Sequence, residues 1–164
     1  MEATMMVLES TRERLKKLSA LAPRLDEATD RFTQELKTIE TELNALDLGV
    51  ECTGHTAIDA SDAEIEYNDD GEVVGRYRTG HYLGYGRLRN SWGLLVLTYR
   101  QELVDGHVHE STLEDTSLLL DCSRALRTAS ADHILTLLDQ LYKQAEKKIE
   151  NLEKVMDARK QVTT

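Results

Sequence analysis

Proline, phenylalanine and tryptophan each occur once in these 164 residues, and cysteine occurs twice. Cys52 and Cys122 lie far apart without Cys-x-x-Cys spacing. That excludes a disulfide-stapled scaffold and a cysteine-rich zinc module. Free thiols in a reducing, cytoplasmic setting are the expected state, with one Cys52–Cys122 bridge the alternative. Long apolar runs are missing as well. The longest aliphatic stretches, Leu94–Leu97 and Leu118–Leu120, fall far short of the roughly 20 residues a membrane span needs. Residues 1–21 mix Glu2, Glu9 and Glu13 with Arg12, Arg14, Lys16 and Lys17, so no secretory signal is expected there.

Basic residues are outnumbered 20 to 30, giving a formal net charge of -10. A chain of that charge repels nucleic acid and anionic membranes as a whole. Residues 49–116 concentrate the imbalance, with 5 basic groups against 13 acidic ones. Catalytic signatures are missing too. No Gly-x-Ser-x-Gly occurs, and Gly80, Gly84 and Gly86 fall in a tyrosine-rich strand rather than between a strand and a helix. His107 and His109 are two apart, a spacing that converges on a metal in a strand, but in a polar loop such a pair is ordinarily solvated. The chain is therefore read as no enzyme, with no cofactor and no metal site.

What is present begins with a 3-4 apolar repeat through Leu15, Leu18, Ala22, Leu25, Thr29, Phe32, Leu36, Ile39, Leu43 and Leu46. This is the narrow seam of a coiled coil. The register runs through Pro23 undisturbed, so a kinked helix is favoured over two helices parted by a loop. Gly49 is placed to end it. A second seam follows Leu135, Leu138, Tyr142, Ala145, Ile149, Leu152 and Met156. Before it the apolar set is broader, with Leu126, Ile134, Leu137, Leu138 and Leu141, and that part is expected to lie on a sheet. Ser130 reads as an internal N-cap.

Between these stretches all nine glycines fall in residues 49–106, and the pattern becomes one of strands and tight turns. Ala63–Asn68 and Glu72–Arg78 flank Asp69-Asp70-Gly71 as a hairpin, placing Glu64 opposite Arg76. His81–Leu88 and Trp92–Leu103 form a second hairpin across Arg89-Asn90-Ser91, with Tyr82 opposite Thr98, Gly84 opposite Val96 and Gly86 opposite Leu94. Val50–Ile58 is a possible fifth strand, and Val104–Thr116, with its Asp105-Gly106 turn signal, is either a strand extension or a loop. The reading is one α+β domain over 1–164: helix at 3–47, antiparallel β-meander of four to five strands at 50–104, helix at 121–160. The flanking helices are expected to pair as an antiparallel coiled coil.

If Leu46 starts beside Leu135, residues before about Lys17 have no partner within the chain. An isolated amphipathic helix is marginal in water, so a second copy is expected to cover it, giving a homodimer built as a four-helix bundle. Leu8, Leu15, Leu18, Leu25 and Phe32 are the candidate oligomerisation residues.

One segment has functional colour. Val73–Gln101 contains no acidic residue, while Arg76, Arg78, Arg87, Arg89 and Arg100 alternate with Tyr77, Tyr82, Tyr85, Trp92 and Tyr99. Tyr82, Tyr85 and Tyr99 with those five arginines are the candidate binding surface. Arginine with flat aromatics serves protein interfaces and base stacking alike. Pairing of Arg76 and Arg78 with Asp62, Glu64 and Glu66, over an aromatic core, is the structural alternative. The expected function is a non-catalytic scaffold that self-associates through its helices and offers a sheet or coil tip to a protein partner. A binding module for an anionic ligand or single-stranded nucleic acid is the second reading.

Overall fold

The computed structural model describes residues 2–162. The chain divides into two compact units, residues 1–38 and 39–164. From Glu2 onward the first is helical. It belongs to α1, Glu2–Leu46, which continues through Pro23 without a break. The register does survive the proline, although Ser19 loses the amide that its carbonyl would otherwise accept. Within this unit Leu8, Leu15, Leu18, Leu21 and Leu25 are all more than half exposed, and Phe32 is half-buried.

The second unit holds the last turns of α1 and everything after them. Five strands follow: β1 Cys52–Ala60, β2 Glu64–Tyr67, β3 Val73–Leu88, β4 Ser91–Val104 and β5 His107–Leu118. They form one antiparallel sheet in the order β1-β3-β4-β5, with β2 pairing beside β1 on the same edge of β3. The fold is α+β, as the sequence predicts. Three details differ. The segments 72–78 and 81–88 are one 16-residue strand. β1 pairs with β3 rather than with β2, so the sheet is a meander only from β2 onward. The last strand is β5, whose first nine residues are exposed; an edge strand with polar side chains lacks the alternation that would reveal it.

Register also moves. Tyr82 lies opposite Leu97, Gly84 opposite Leu95 and Gly86 opposite Gly93, one residue from the expected pairing. The cause is the turn. Arg89 and Asn90 both have positive φ, 49° and 73°, which makes a two-residue loop whose twist matches the strands. Asp105 and Gly106 repeat that geometry between β4 and β5. In the first hairpin Glu64 faces Tyr77 and Ile65 faces Arg76. Its loop is closed by Asn68, whose Oδ1 accepts from the amides of Asp70 and Glu72.

Alternation puts Leu83, Tyr85, Leu94 and Val96 on one face of the sheet, and all four are at most 3% exposed. This is the core. α3, Ile134–Val162, packs against β1 and β3 through Ile134, Leu137 and Leu141, which are buried. The expectation that the broad apolar part of this helix meets the sheet holds. The seam residues Leu135, Tyr142, Ile149, Leu152 and Met156 are exposed. Between the sheet and α3 lie a 3-10 turn at Leu119–Asp121, the short helix α2 at Arg124–Ala129 and a second 3-10 turn at Ser130–His133. Ser123 caps α2, its hydroxyl accepting from the Leu126 amide. Ser130 is no N-cap. It is fully buried, and its hydroxyl donates to the Arg127 carbonyl at 2.7 Å.

The last turn of α1 is fixed to the β3–β4 hairpin. Tyr85 Oη donates to Asn44 Oδ1 at 2.8 Å, and Asn44 Nδ2 donates to the Trp92 carbonyl at 3.0 Å. Glu40 Oε2 accepts from the Leu94 amide at 2.8 Å. A Cβ at position 93 would stand 2.9 Å from that carboxylate oxygen and 3.1 Å from Leu118 Cδ2, so a larger residue there would displace the Glu40 side chain. The helix ends at Leu46, before Gly49, and Asp47 just past it takes positive φ. Gly49 serves the next contact, its carbonyl accepting from Lys148 Nζ of α3 at 2.9 Å.

Candidate functional site: a polar cavity on the open face of the sheet

The face opposite the core carries Arg76, Arg78, Gly80, Tyr82 and Gly84 of β3 with Gln101, Tyr99, Leu97 and Leu95 of β4, by the same alternation. Gly80 and Gly84 make room for their neighbours: a Cβ would stand 3.0 Å from Gln101 Oε1 at the first and 2.6 Å from Leu97 Cδ1 at the second. A cavity of about 380 Å³ opens here, lined by Thr53, Gly54, His55, Tyr82, Tyr99, Gln101 and Ser111. β1 is irregular where it forms the rim. Its pairing shifts between Thr53 and Ala57, which turns Gly54 and His55 out of the regular ladder.

Across the strands Arg78, Gln101 and Ser111 stand in one row. Gln101 is 3% exposed and every polar atom of its side chain is engaged. Arg78 Nε donates to its Oε1 at 2.9 Å. Its Nε2 donates to Tyr82 Oη at 2.7 Å and to Ser111 Oγ at 3.4 Å. The amide orientation is fixed chemically, because a guanidinium nitrogen can only donate. Tyr82 and Tyr99 meet edge to face with ring centroids 5.5 Å apart. No acidic side chain lines the cavity.

The candidate surface read from the sequence does not form one patch. Arg76, Arg78, Tyr82 and Tyr99 share the open face. Tyr85 and Arg87 point to the other face, where Tyr85 is buried and stacks on Trp92 at 5.5 Å. Arg89 sits in the β3–β4 turn. Arg100 lies on the core-side alternation, 4.1 Å from the Tyr77 ring centroid, and pairs with Glu66. The acidic partner of an arginine is thus Glu66 with Arg100, rather than Glu64 with Arg76. Gln101, Ser111, Thr53 and His55 were not singled out by the sequence. A glutamine two residues from Tyr99, on the same side of β4, was the one available signal, and Ser111 lies on the strand whose polarity concealed it.

The remaining reactive groups are quiet. Burial pushes the Cys52 thiol up, and burial followed by Asp121 raises that of Cys122, so neither is an activated nucleophile. Burial, with Glu40 and Asp47 adding, raises the Tyr85 phenol above its ordinary value near 10. His109 Nδ1 stands 3.8 Å from Glu102 Oε2. Among the described residues no cluster of three or more His, Cys, Asp or Glu side chains could hold a metal ion, and no helix is long and apolar enough to cross a membrane. No protein-family model, curated protein or solved structure matches the chain.

Proposed function

We propose that this chain is a non-catalytic scaffold that self-associates by closing the leucine seams of α1 and α3 against those of a second copy, as a coiled-coil homodimer in the cytoplasm. One observation carries the reading. Leu8, Leu15, Leu18, Leu21 and Leu25 are 52–62% exposed along one helix, on a stripe about 25 Å long at 1.5 Å rise per residue. Contiguous apolar stripes of that size mark interaction surfaces. Their 3-4 spacing specifies a helix as the partner. Ile149, Leu152, Val155 and Met156 offer a second uncovered stripe on α3.

Magnitudes indicate that both stripes take part. Burying the exposed half of a leucine yields roughly 1–1.5 kcal/mol. Ten such side chains, five per copy, then yield about 10–15 kcal/mol, near the upper end of the cost of association. The α3 stripe supplies the surplus. Light scattering over a range of concentrations tests this. A mass near twice the chain's 18.6 kDa is expected, and Leu18→Glu with Leu25→Glu should return a monomer with unchanged sheet signal. A wild-type monomer at every concentration rules the proposal out. A base-stacking role draws little support, because the arginines are divided between two faces and one turn.

A further inference from the structure

We propose that the cavity over β3, β4 and β5 is a binding site for a small carboxylate carried on a flat apolar group, such as an aryl acid. It does not rest on the self-association proposed above. The argument starts at Arg78. Because its Nε donates to Gln101 Oε1, the amide nitrogen of Gln101 must face Tyr82 and Ser111. Both hydroxyl oxygens then act as acceptors toward Gln101, and neither hydroxyl proton is used there. Among the described residues no acceptor takes either proton. Gln101 therefore leaves two O–H donors free beside the cavity, and Thr53 contributes a third hydroxyl to its wall.

Two or three convergent hydroxyl donors match the lone pairs of a carboxylate. The charge balance agrees. The chain carries -10 overall, yet the lining holds no acid, and the nearest ionic group in the network is the Arg78 guanidinium. The apolar requirement comes from the Tyr82–Tyr99 pair and from Gly54, which leave ring faces and bare backbone beside the donors. Occupied by a carboxylate, the row Arg78–Gln101–Ser111 becomes a relay that couples the ligand's charge to the guanidinium without direct contact.

Benzoate, benzamide and benzylamine titrated separately into the full chain at neutral pH test the site. The readout is the amide spectrum of the Gln101 side chain and of the Gly54 and Ser111 backbones. Benzoate is expected to shift these resonances saturably, benzamide to bind at least tenfold more weakly, and benzylamine not at all. Tyr82→Phe and Ser111→Ala should each weaken benzoate by about tenfold, the loss of one hydrogen bond to a charged group. Gln101→Glu is the sharpest variant. It keeps the shape and the Arg78 contact, but its carboxylate claims both hydroxyl protons and should abolish binding. Absence of a saturable benzoate shift overturns the proposal. So does equal affinity for benzamide, or undiminished affinity in the Gln101→Glu chain. A monomer that binds benzoate would leave this site standing while removing the scaffold reading.

Discussion

Asn44→Ala should destabilise the 39–164 unit by about 2 kcal/mol, and the reason is an asymmetry between its two hydrogen bonds. Asn44 is exposed, so the Trp92 carbonyl it serves can turn to water when the amide is removed. The Tyr85 hydroxyl belongs to a residue that is only 3% exposed, and losing Asn44 Oδ1 strands it. A stranded buried donor costs about 1–3 kcal/mol, whereas a satisfied exposed bond contributes about 0.5–1 kcal/mol. Tyr85→Phe removes the donor itself and should cost only about 1 kcal/mol, since the ring still stacks on Trp92. In the double variant the two losses should overlap by about 1 kcal/mol. Urea unfolding followed by Trp92 fluorescence reads all three, with midpoint shifts of about 0.5–1 M at ordinary slopes. Strict additivity of the two substitutions would refute the reasoning, because it would mean that the hydroxyl never depended on Asn44.

Gly84→Ala should destabilise by about 1–3 kcal/mol through overpacking, since the added Cβ would stand 2.6 Å from Leu97 Cδ1 and 3.1 Å from the Cys52 carbonyl; a thermal midpoint equal to wild type would contradict it. Leu137→Ala, at a site 1% exposed, should cost about 2–5 kcal/mol by urea denaturation, while Leu135→Ala, on the 75% exposed side of the same helix, should cost little. The raised Tyr85 phenol gives a pH dependence. The folded protein disfavours the phenolate, so this contribution to stability is complete below the ordinary value near 10 and is lost as pH rises through the higher folded value. Tyr85→Phe should flatten that alkaline decline, measured as the difference in urea midpoint between pH 9 and pH 11.

Features set by local spacing were legible before any fold was known. A 3-4 repeat dictates a long helix even across Pro23, because the lost amide is one bond among many. The Asp69-Asp70-Gly71 and Asp105-Gly106 signals dictate reversals, because few residues tolerate positive φ. The sheet-facing residues Ile134, Leu137 and Leu141 were equally legible from a broad apolar face.

The remaining features depend on pairing between distant segments. A single residue of register separates Tyr82 opposite Thr98 from Tyr82 opposite Leu97, and alternation alone is indifferent when both partners are plausible neighbours. The loop length settled it, through the positive φ of Arg89 and Asn90. β5 was legible only as a turn followed by polar residues, since an edge strand buries too little to pattern its side chains. The cavity was beyond sequence reasoning for the same reason. Arg78, Gln101 and Ser111 come from three strands, and only the ladder that aligns them fixes which way the Gln101 amide points.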